Sequence, residues 1–278
     1  MTLAPDVFVF VRDHVRRESA IVLEAGKEYL VESRLQPMAR SLGFADVDTF
    51  VHSVQRSRDR GLLERIVEAL TTNETSFFRD RDPFVALRQD VFPDLAARRP
   101  GRRLRVWTAA CSTGQEPYSV AMTVKETPEL TGFGVEIIGT DLSDEVLAKA
   151  RAAEYSQLEV NRGLPATTLV RHFQRAGVNW RLDPEVASMV TFSKVNLLHS
   201  FDHLGRFDVV FLRNVLIYFD VETKRDILRR LRRVMNPDAY LFLGAAEMTS
   251  GIDDGWERLP AGRSSVYRLR TASTAARR

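Results

Sequence analysis

The stretch Ala109-Ala110-Cys111-Ser112-Thr113-Gly114-Gln115-Glu116-Pro117-Tyr118-Ser119 stands between an apolar run, Leu104 to Ala110, and a helical pattern, Pro117 to Lys125. Its small residues let a ligand approach the backbone closely, and Gly114 permits a tight turn into the helix. No Lys-Ser/Thr follows the glycine, so this is not a phosphate-cradling loop, and the three glycines of a dinucleotide fingerprint are missing. Gly132-Phe133-Gly134 precedes a strand, the wrong context for that motif. The loop suits a cofactor without phosphates. Twenty-seven positions beyond Gly114, Asp141 ends a second apolar run in Gly139-Thr140-Asp141-Leu142-Ser143. A carboxylate at a strand end can accept both hydroxyls of a ribose, although Asp-x-Ser also reads as a helix N-cap. Two further strand ends carry amides, Asn196 and Asn214. Turn formation explains one such loop easily and four together less well. A phosphate-free cofactor that contains adenosine is S-adenosylmethionine.

Other residues invite sharper chemistry and receive plainer readings. Thr72-Asn73-Glu74-Thr75-Ser76-Phe77-Phe78-Arg79-Asp80 reads either as a capped turn before a buried Phe pair or as polar groups reaching a cofactor's carboxylate end through Arg79. Cys111 has no histidine nearby in sequence and reads as a buried loop residue rather than a nucleophile. His199 and His203 have the i, i+4 spacing of a helical metal pair, but Asp202 and Gly205 suggest a surface turn. The arginines between 224 and 233 read as a solvated helix face. Tyr218 ends an apolar strand, where a core tyrosine is the ordinary reading. Its place four residues after Asn214, at an expected ligand edge, favours a functional role.

The elements that must position these residues follow from periodicity. Apolar positions at helical spacing (Leu30, Val31, Leu35, Met38, Leu42; Val47, Phe50, Val51, Val54; Leu62, Leu63, Ile66, Val67, Leu70) predict a small all-α domain over 1–72. Gly43 suits the end of the first of these helices and Asp46 caps the second. Val7 to Val11 is ambiguous, and Pro5-Asp6 favours helix. Residues 73–100 read as an interdomain linker. Beyond Pro100, strand candidates Leu104–Ala110, Val135–Gly139, Val190–Val195, Phe207–Leu212, Tyr240–Leu243 and Val266–Leu269 alternate with helices. That alternation argues for a mostly parallel α/β sheet over 101–270. A helix from about Val221 to Met235 is stopped by Asn236-Pro237. Segment 155–188 looks like an insertion, and 271–278 like a disordered tail.

Composition narrows the class. Over 278 residues, 44% hydrophobic and 28% charged content is that of a globular chain. One cysteine and five histidines leave too few soft ligands for a structural zinc site, so no metal is expected. The single cysteine and the lack of any long apolar run predict a cytoplasmic protein without membrane insertion. Forty basic against thirty-seven acidic residues give +3. Residues 1–72 carry ten Lys+Arg against eleven Asp+Glu, a net of −1. Arginines gather instead at Arg98, Arg99, Arg102, Arg103 and Arg105 and on the later helix. Separate clusters, without one continuous basic face, disfavour a nucleic-acid partner.

The segments Thr72–Arg79, Trp107–Ser119, Gly139–Asp141 and Phe211-Leu212-Arg213-Asn214-Val215-Leu216-Ile217-Tyr218-Phe219 resemble the CheR family of chemotaxis receptor glutamate O-methyltransferases. The likeness covers about residues 5–270, in the same order. It implies a Rossmann-like S-adenosylmethionine-dependent methyltransferase sheet, a small all-α N-terminal domain, and a small inserted β-subdomain. By resemblance, Asn73, Thr75, Arg79, Glu116, Asp141, Asn196, Leu197, Arg213 and Asn214 contact the cofactor, and Tyr218 lies beside the transferred methyl. The expected product is S-adenosylhomocysteine, and the implied partner is the cytoplasmic domain of chemoreceptors. The chain departs from the family in two places. Gly177 is the only glycine between Gly163 and Gly205, so docking on a C-terminal receptor pentapeptide is not expected. Lys27, Arg34 and Arg40 are mixed with Glu24, Glu28 and Glu32, where relatives often carry a strongly basic helix. A monomer is expected. Two other functions compete, a non-catalytic S-adenosylmethionine-binding adaptor and a nucleic-acid methyltransferase. The second lacks both the Asp/Asn-Pro-Pro-Tyr loop and a Pro-Cys nucleophile.

Overall fold

The computed structural model describes residues 3–99, 101 and 103–270. Arg102 and the tail expected over 271–278 lie outside them. The chain divides into two units, with the boundary between Thr72 and Asn73.

The first unit is helical and also includes Tyr218–Thr223. Helices α1 (Pro5–Ser19), α2 (Glu28–Ser41), α3 (Val47–Ser57) and α4 (Arg60–Leu70) bury the apolar stripes that their spacing announces. Val7, Val11, Val31, Leu35, Phe50, Val54 and Ile66 are fully shielded from solvent. Asp46 caps α3 by accepting the Thr49 N–H at 2.7 Å. Val7 to Val11 is helical, and Gly43 follows α2 with φ +82°.

The second unit begins with what reads in sequence as a linker. Most of that segment is helix: α5 (Asp82–Ala86), a π-helical turn (Leu87–Val91) and α6 (Phe92–Arg98). Phe84, Leu87, Val91, Phe92 and Leu95 belong to the core, so the segment is part of the fold. Strands and helices then alternate: β1 (Arg103–Ala109), α7 (Gln115–Lys125), β2 (Gly134–Asp141) and α8 (Asp144–Ala152). The insertion contains β3 (Glu154–Ser156), α9 (Gln157–Asn161), α10 (Ala166–His172), β4 (Phe173–Ala176), β5 (Asn179–Leu182) and α11 (Pro184–Ala187). Its strands form a separate antiparallel sheet in the order β3-β5-β4. The main sheet resumes with β6 (Val190–Lys194), β7 (Phe207–Leu212), α12 (Val221–Leu231), β8 (Met235–Leu243), β9 (Trp256–Ala261) and β10 (Ser264–Leu269).

The seven strands lie in the order β6-β2-β1-β7-β8-β10-β9. The first five are mutually parallel, and β10 is antiparallel to both of its neighbours. Two boundaries differ from the sequence reading. Pro237 lies inside β8, where the pairing with β7 shifts between Phe207 and Val209. The irregularity tolerates a residue without an N–H. The edge strand β9 is buried only at its ends, Trp256 and Ala261, and includes the charged Glu257 and Arg258 and Pro260, so it shows no apolar run. Of the expected arginine cluster, Arg98 and Arg99 pair with Asp94, Asp208 and Asp238, and Arg105 pairs with Glu136.

Candidate functional site

Strand β1 neighbours both β2 and β7, and the chain fills the sheet outward from β1 in opposite directions. The crevice beyond the carboxyl ends of β1 and β7 is therefore the topological switch point, where sheets of this kind bind ligands. The loop after β1 bends sharply: Ala110 and Ser112 have φ of 54° and 52°, and Gly114 has 92°. A Cβ on Gly114 would also lie 3.0 Å from the Ala150 Cβ and 3.1 Å from the Tyr155 hydroxyl, so only glycine fits. The Ser112 N–H donates to Asp141 Oδ2 at 2.8 Å, and the Ser112 hydroxyl donates to the Asn73 carbonyl at 2.8 Å. Asp141, 7% exposed, also accepts the Ser143 N–H on Oδ1 at 3.1 Å. Ser143, not Asp141, caps α8. Backbone donors on both oxygens thus fix the Asp141 carboxylate at the end of β2.

Across the crevice, Arg213 follows β7 with its side chain only 1% exposed. Its Nη1 donates to Glu116 Oε2 at 2.8 Å, and its Nη2 to Asp80 Oδ2 at 2.7 Å and the Arg79 carbonyl at 3.0 Å. Its guanidinium stands 5.7 Å from the Phe84 ring centre, and its Nε has no hydrogen-bond partner. Burial pushes the Glu116 carboxyl above the usual range, against the opposing pull of Arg213. The Phe78 N–H donates to the Ser119 hydroxyl at 2.9 Å, and Arg79 Nη1 to the Glu74 carbonyl at 3.0 Å. Phe78, Asp80 and Arg81 all have positive φ, between 45° and 65°. Of the nine non-glycine residues with positive φ among the described residues, Ala20, Arg58 and Ala153 are helix C-caps. The other six lie on the segment and loops just described, including Asn214 at 59°. Such strain persists only where the surroundings enforce it.

Glu247, 8% exposed, is the functional candidate that sequence reasoning missed. Its Oε2 accepts the Gly244 N–H at 2.7 Å and the Asn214 N–H at 2.8 Å, and its Oε1 accepts the Val215 N–H at 2.9 Å. One carboxylate thereby joins the loops after β7 and β8. A Cβ on Gly244 would fall 2.8 Å from Asn214 Nδ2, so the approach requires glycine. The available signal was a Gly-x-x-Glu pattern closing the strand candidate Tyr240–Leu243, a strand end like the others.

The loop after β6 completes this edge. The Val195 N–H donates to the Asp141 carbonyl at 2.9 Å, and Asn196 Oδ1 accepts the Leu198 N–H at 2.9 Å. Arg230 is buried, contrary to the expected solvated face. It donates to the carbonyls of Leu197 and His199, both at 2.6 Å, and to Asp226 at 2.7 Å. Asn73, Arg79, Glu116, Asp141, Asn196, Leu197, Arg213 and Asn214 thus occupy one connected edge of the second unit. Thr75 is half-buried on the segment leading to Arg79, and Tyr218 packs with the helical unit. Cys111 is buried and its thiol is pushed well up, first by burial and then by Asp141, which leaves it unsuited to nucleophilic work.

Residues 73–263 match the family model described as CheR methyltransferase, SAM binding domain, and residues 6–71 match CheR methyltransferase, all-alpha domain. The chain is 42% identical to chemotaxis protein methyltransferase 1 of Pseudomonas aeruginosa, over 97% of this chain and all of that one. It is 39% identical to chemotaxis protein methyltransferase Cher2 of Pseudomonas putida, covering 93% and 96% of the two chains. Against the Escherichia coli chemotaxis protein methyltransferase it is 37% identical, covering 92% and 87%. The cofactor is S-adenosylmethionine. The residues present fit it: a carboxylate, Asp141, is oriented by backbone donors at the end of β2, Arg79 uses one nitrogen on the Glu74 carbonyl, and the loop after β1 has no lysine of a phosphate loop.

Asp141→Ala should weaken S-adenosylmethionine binding by about one to two decades, the worth of roughly 1.5–3 kcal/mol of charge-assisted hydrogen bonding, with the fold retained. Calorimetry on a folded variant with unchanged affinity would refute that assignment. Glu247→Gln leaves one acceptor for three N–H groups and should cost about tenfold in the same affinity, or ~1.4 kcal/mol, through loss of loop order. Its readout separates from a global effect if the thermal midpoint moves little while affinity falls.

Proposed function

The chain belongs to the CheR methyltransferase family, and we propose that it transfers the methyl group of S-adenosylmethionine to glutamate side chains in the cytoplasmic domain of chemoreceptors, forming methyl esters. The observation that carries this reading is similarity along nearly the whole chain to relatives named for chemotaxis methylation. The cytoplasm, where receptor signalling domains stand, is the proposed location.

The chemistry asks little of the protein beyond placement. When bound, the cofactor supplies a methyl on a sulfonium, a good leaving group. The acceptor carboxylate, with an ordinary pKa of about 4.3, is ionised at neutral pH, so no general base is required. No residue of the chain has to act covalently. Asp141 holds the ribose end, and Arg79 holds the amino-acid carboxylate through a charge-assisted pair. Tyr218 orients the incoming carboxylate oxygen. Arg213 and Glu116 act by fixing the walls on which these groups stand. Holding two reactants in line in this way can remove on the order of 7–11 kcal/mol from a barrier at best.

Recognition independent of a C-terminal receptor tail is part of the proposal. Strands β4 and β5 pair as far as Ala176 and Asn179, so only Gly177 and Val178 close the hairpin. Such a short turn supports the reading that no extended loop grips a tail.

Incubation with methyl-labelled cofactor and receptor-rich membranes tests the function. Label transferred to receptor and released as methanol by base is the expected result; base-stable label, or binding without transfer, contradicts it. In the same assay Tyr218→Phe should lower turnover by tenfold or more at saturating cofactor while affinity changes little. Turnover within twofold of the parent would make Tyr218 a packing residue.

A further inference from the structure

A groove of about 800 Å³ lies in the second unit, walled by Ser76–Arg81, by α5 with its π-helical turn, and by Asn161–Pro165. Four guanidinium groups line it from three separate segments: Arg79, Arg81, Arg88 and Arg162. The acids on its walls are already engaged. Asp80 pairs with Arg213, and Glu126 accepts from Arg88 at 3.4 Å and from Arg171 at 3.0 Å. Glu74 nearby is paired with Arg162. Arg81 is exposed and has no side-chain partner among the described residues. Although Arg88 and Arg162 share these acids, the lining carries four guanidinium groups against the carboxylates of Asp80 and Glu126, an excess of positive charge interleaved with apolar surface at Val85, Leu164 and Pro165. Its walls also include irregular backbone. Phe78, Asp80 and Arg81 have left-handed φ, and Arg88 lies within the π-helical turn, a feature that recurs at functional sites.

We propose that this groove docks an acidic segment of the protein substrate. The inference rests on the reading of the function given above. Arginines that converged on one buried point would suit a small anion. Here Arg88 is 49% exposed and Arg162 58% exposed, and they project from different segments. Exposed, distributed cations with apolar surface between them match a polypeptide carrying Glu or Asp at intervals. Contacts of this kind contribute recognition and encounter rate, and they weaken as salt rises.

The test compares wild-type protein with Arg81→Gln/Arg88→Gln and Arg81→Glu/Arg88→Glu. Arg263→Glu serves as a control, being 89% exposed and outside the groove. Methylation of a soluble receptor cytoplasmic fragment is measured at saturating S-adenosylmethionine. The fragment's KM should rise about fivefold in the neutralised variant and more than tenfold in the reversed one, with kcat within twofold and cofactor affinity unchanged. The control should match the wild type. A labelled synthetic peptide rich in Glu with interspersed Leu should bind wild-type protein in a salt-sensitive way and the reversed variant at least tenfold more weakly. Unchanged KM and unchanged peptide binding in a folded double variant would overturn the proposal. So would an equal rise in the control, which marks diffuse surface charge. If wild-type protein methylates no receptor fragment, the functional reading fails by itself, and peptide binding alone decides the groove.

Discussion

A guanidinium buried at the switch point governs the architecture of this site. Moving a cation from water into the protein interior costs several kcal/mol unless partners of good geometry surround it. Arg213 meets that demand by drawing Glu116 from the first turn of α7, and Asp80 with the Arg79 carbonyl from the segment that opens the second unit. Three segments distant in sequence are thereby held around one charge. The left-handed residues Phe78 and Asp80 flank the Arg79 carbonyl that reaches the cation, and Asn214 follows Arg213 directly. Glu116 bears the opposite side of the same balance: burial resists its ionisation and Arg213 favours it.

Around this pair the strand-end loops are fixed by anions that accept backbone N–H groups, and by one further arginine. Asp141 takes the N–H groups of Ser112 and Ser143, and Glu247 takes those of Gly244, Asn214 and Val215. Arg230 does the converse for the carbonyls of Leu197 and His199. Each device stabilises a loop in one conformation before any ligand arrives, which reduces the ordering cost of binding. Methyl transfer needs alignment more than acid–base chemistry, so rigidity at these loops is a direct contribution to function.

Much of this was legible in the sequence, for physical reasons that differ by element. The central strand β7 is buried at every position and β2 from Ile137 onward, so each shows an apolar run broken only by one acid near its start, Asp208 or Glu136. The helices α3 and α4 show the spacing of a single buried stripe. Asp141, Asn196 and Asn214 stand at strand ends, where the sequence pattern puts them and where a parallel sheet places polar groups. What escaped shared another property, namely dependence on long-range partners. Arg230 looks like any surface arginine until two carbonyls from a distant loop close on it. Glu247 lies among small residues, and only the fold brings the Asn214 backbone to it. Residues 73–100 contain Pro and charge that suggest a linker, yet Phe84, Leu87 and Leu95 pack into the core. Their helical run is interrupted by a π-helical turn that blurs the periodicity.

The decisive measurement is a double-mutant cycle on Arg213 and Glu116, with S-adenosylmethionine affinity read by calorimetry. If the pair acts as one unit that orders the crevice, Arg213→Met and Glu116→Gln should each weaken binding by about tenfold or more. Their combination should then be no worse than the more damaging single change, a coupling beyond ~1 kcal/mol. Fully additive losses, or an unaltered affinity in a folded Arg213→Met variant, would show that the buried pair does not organise the site.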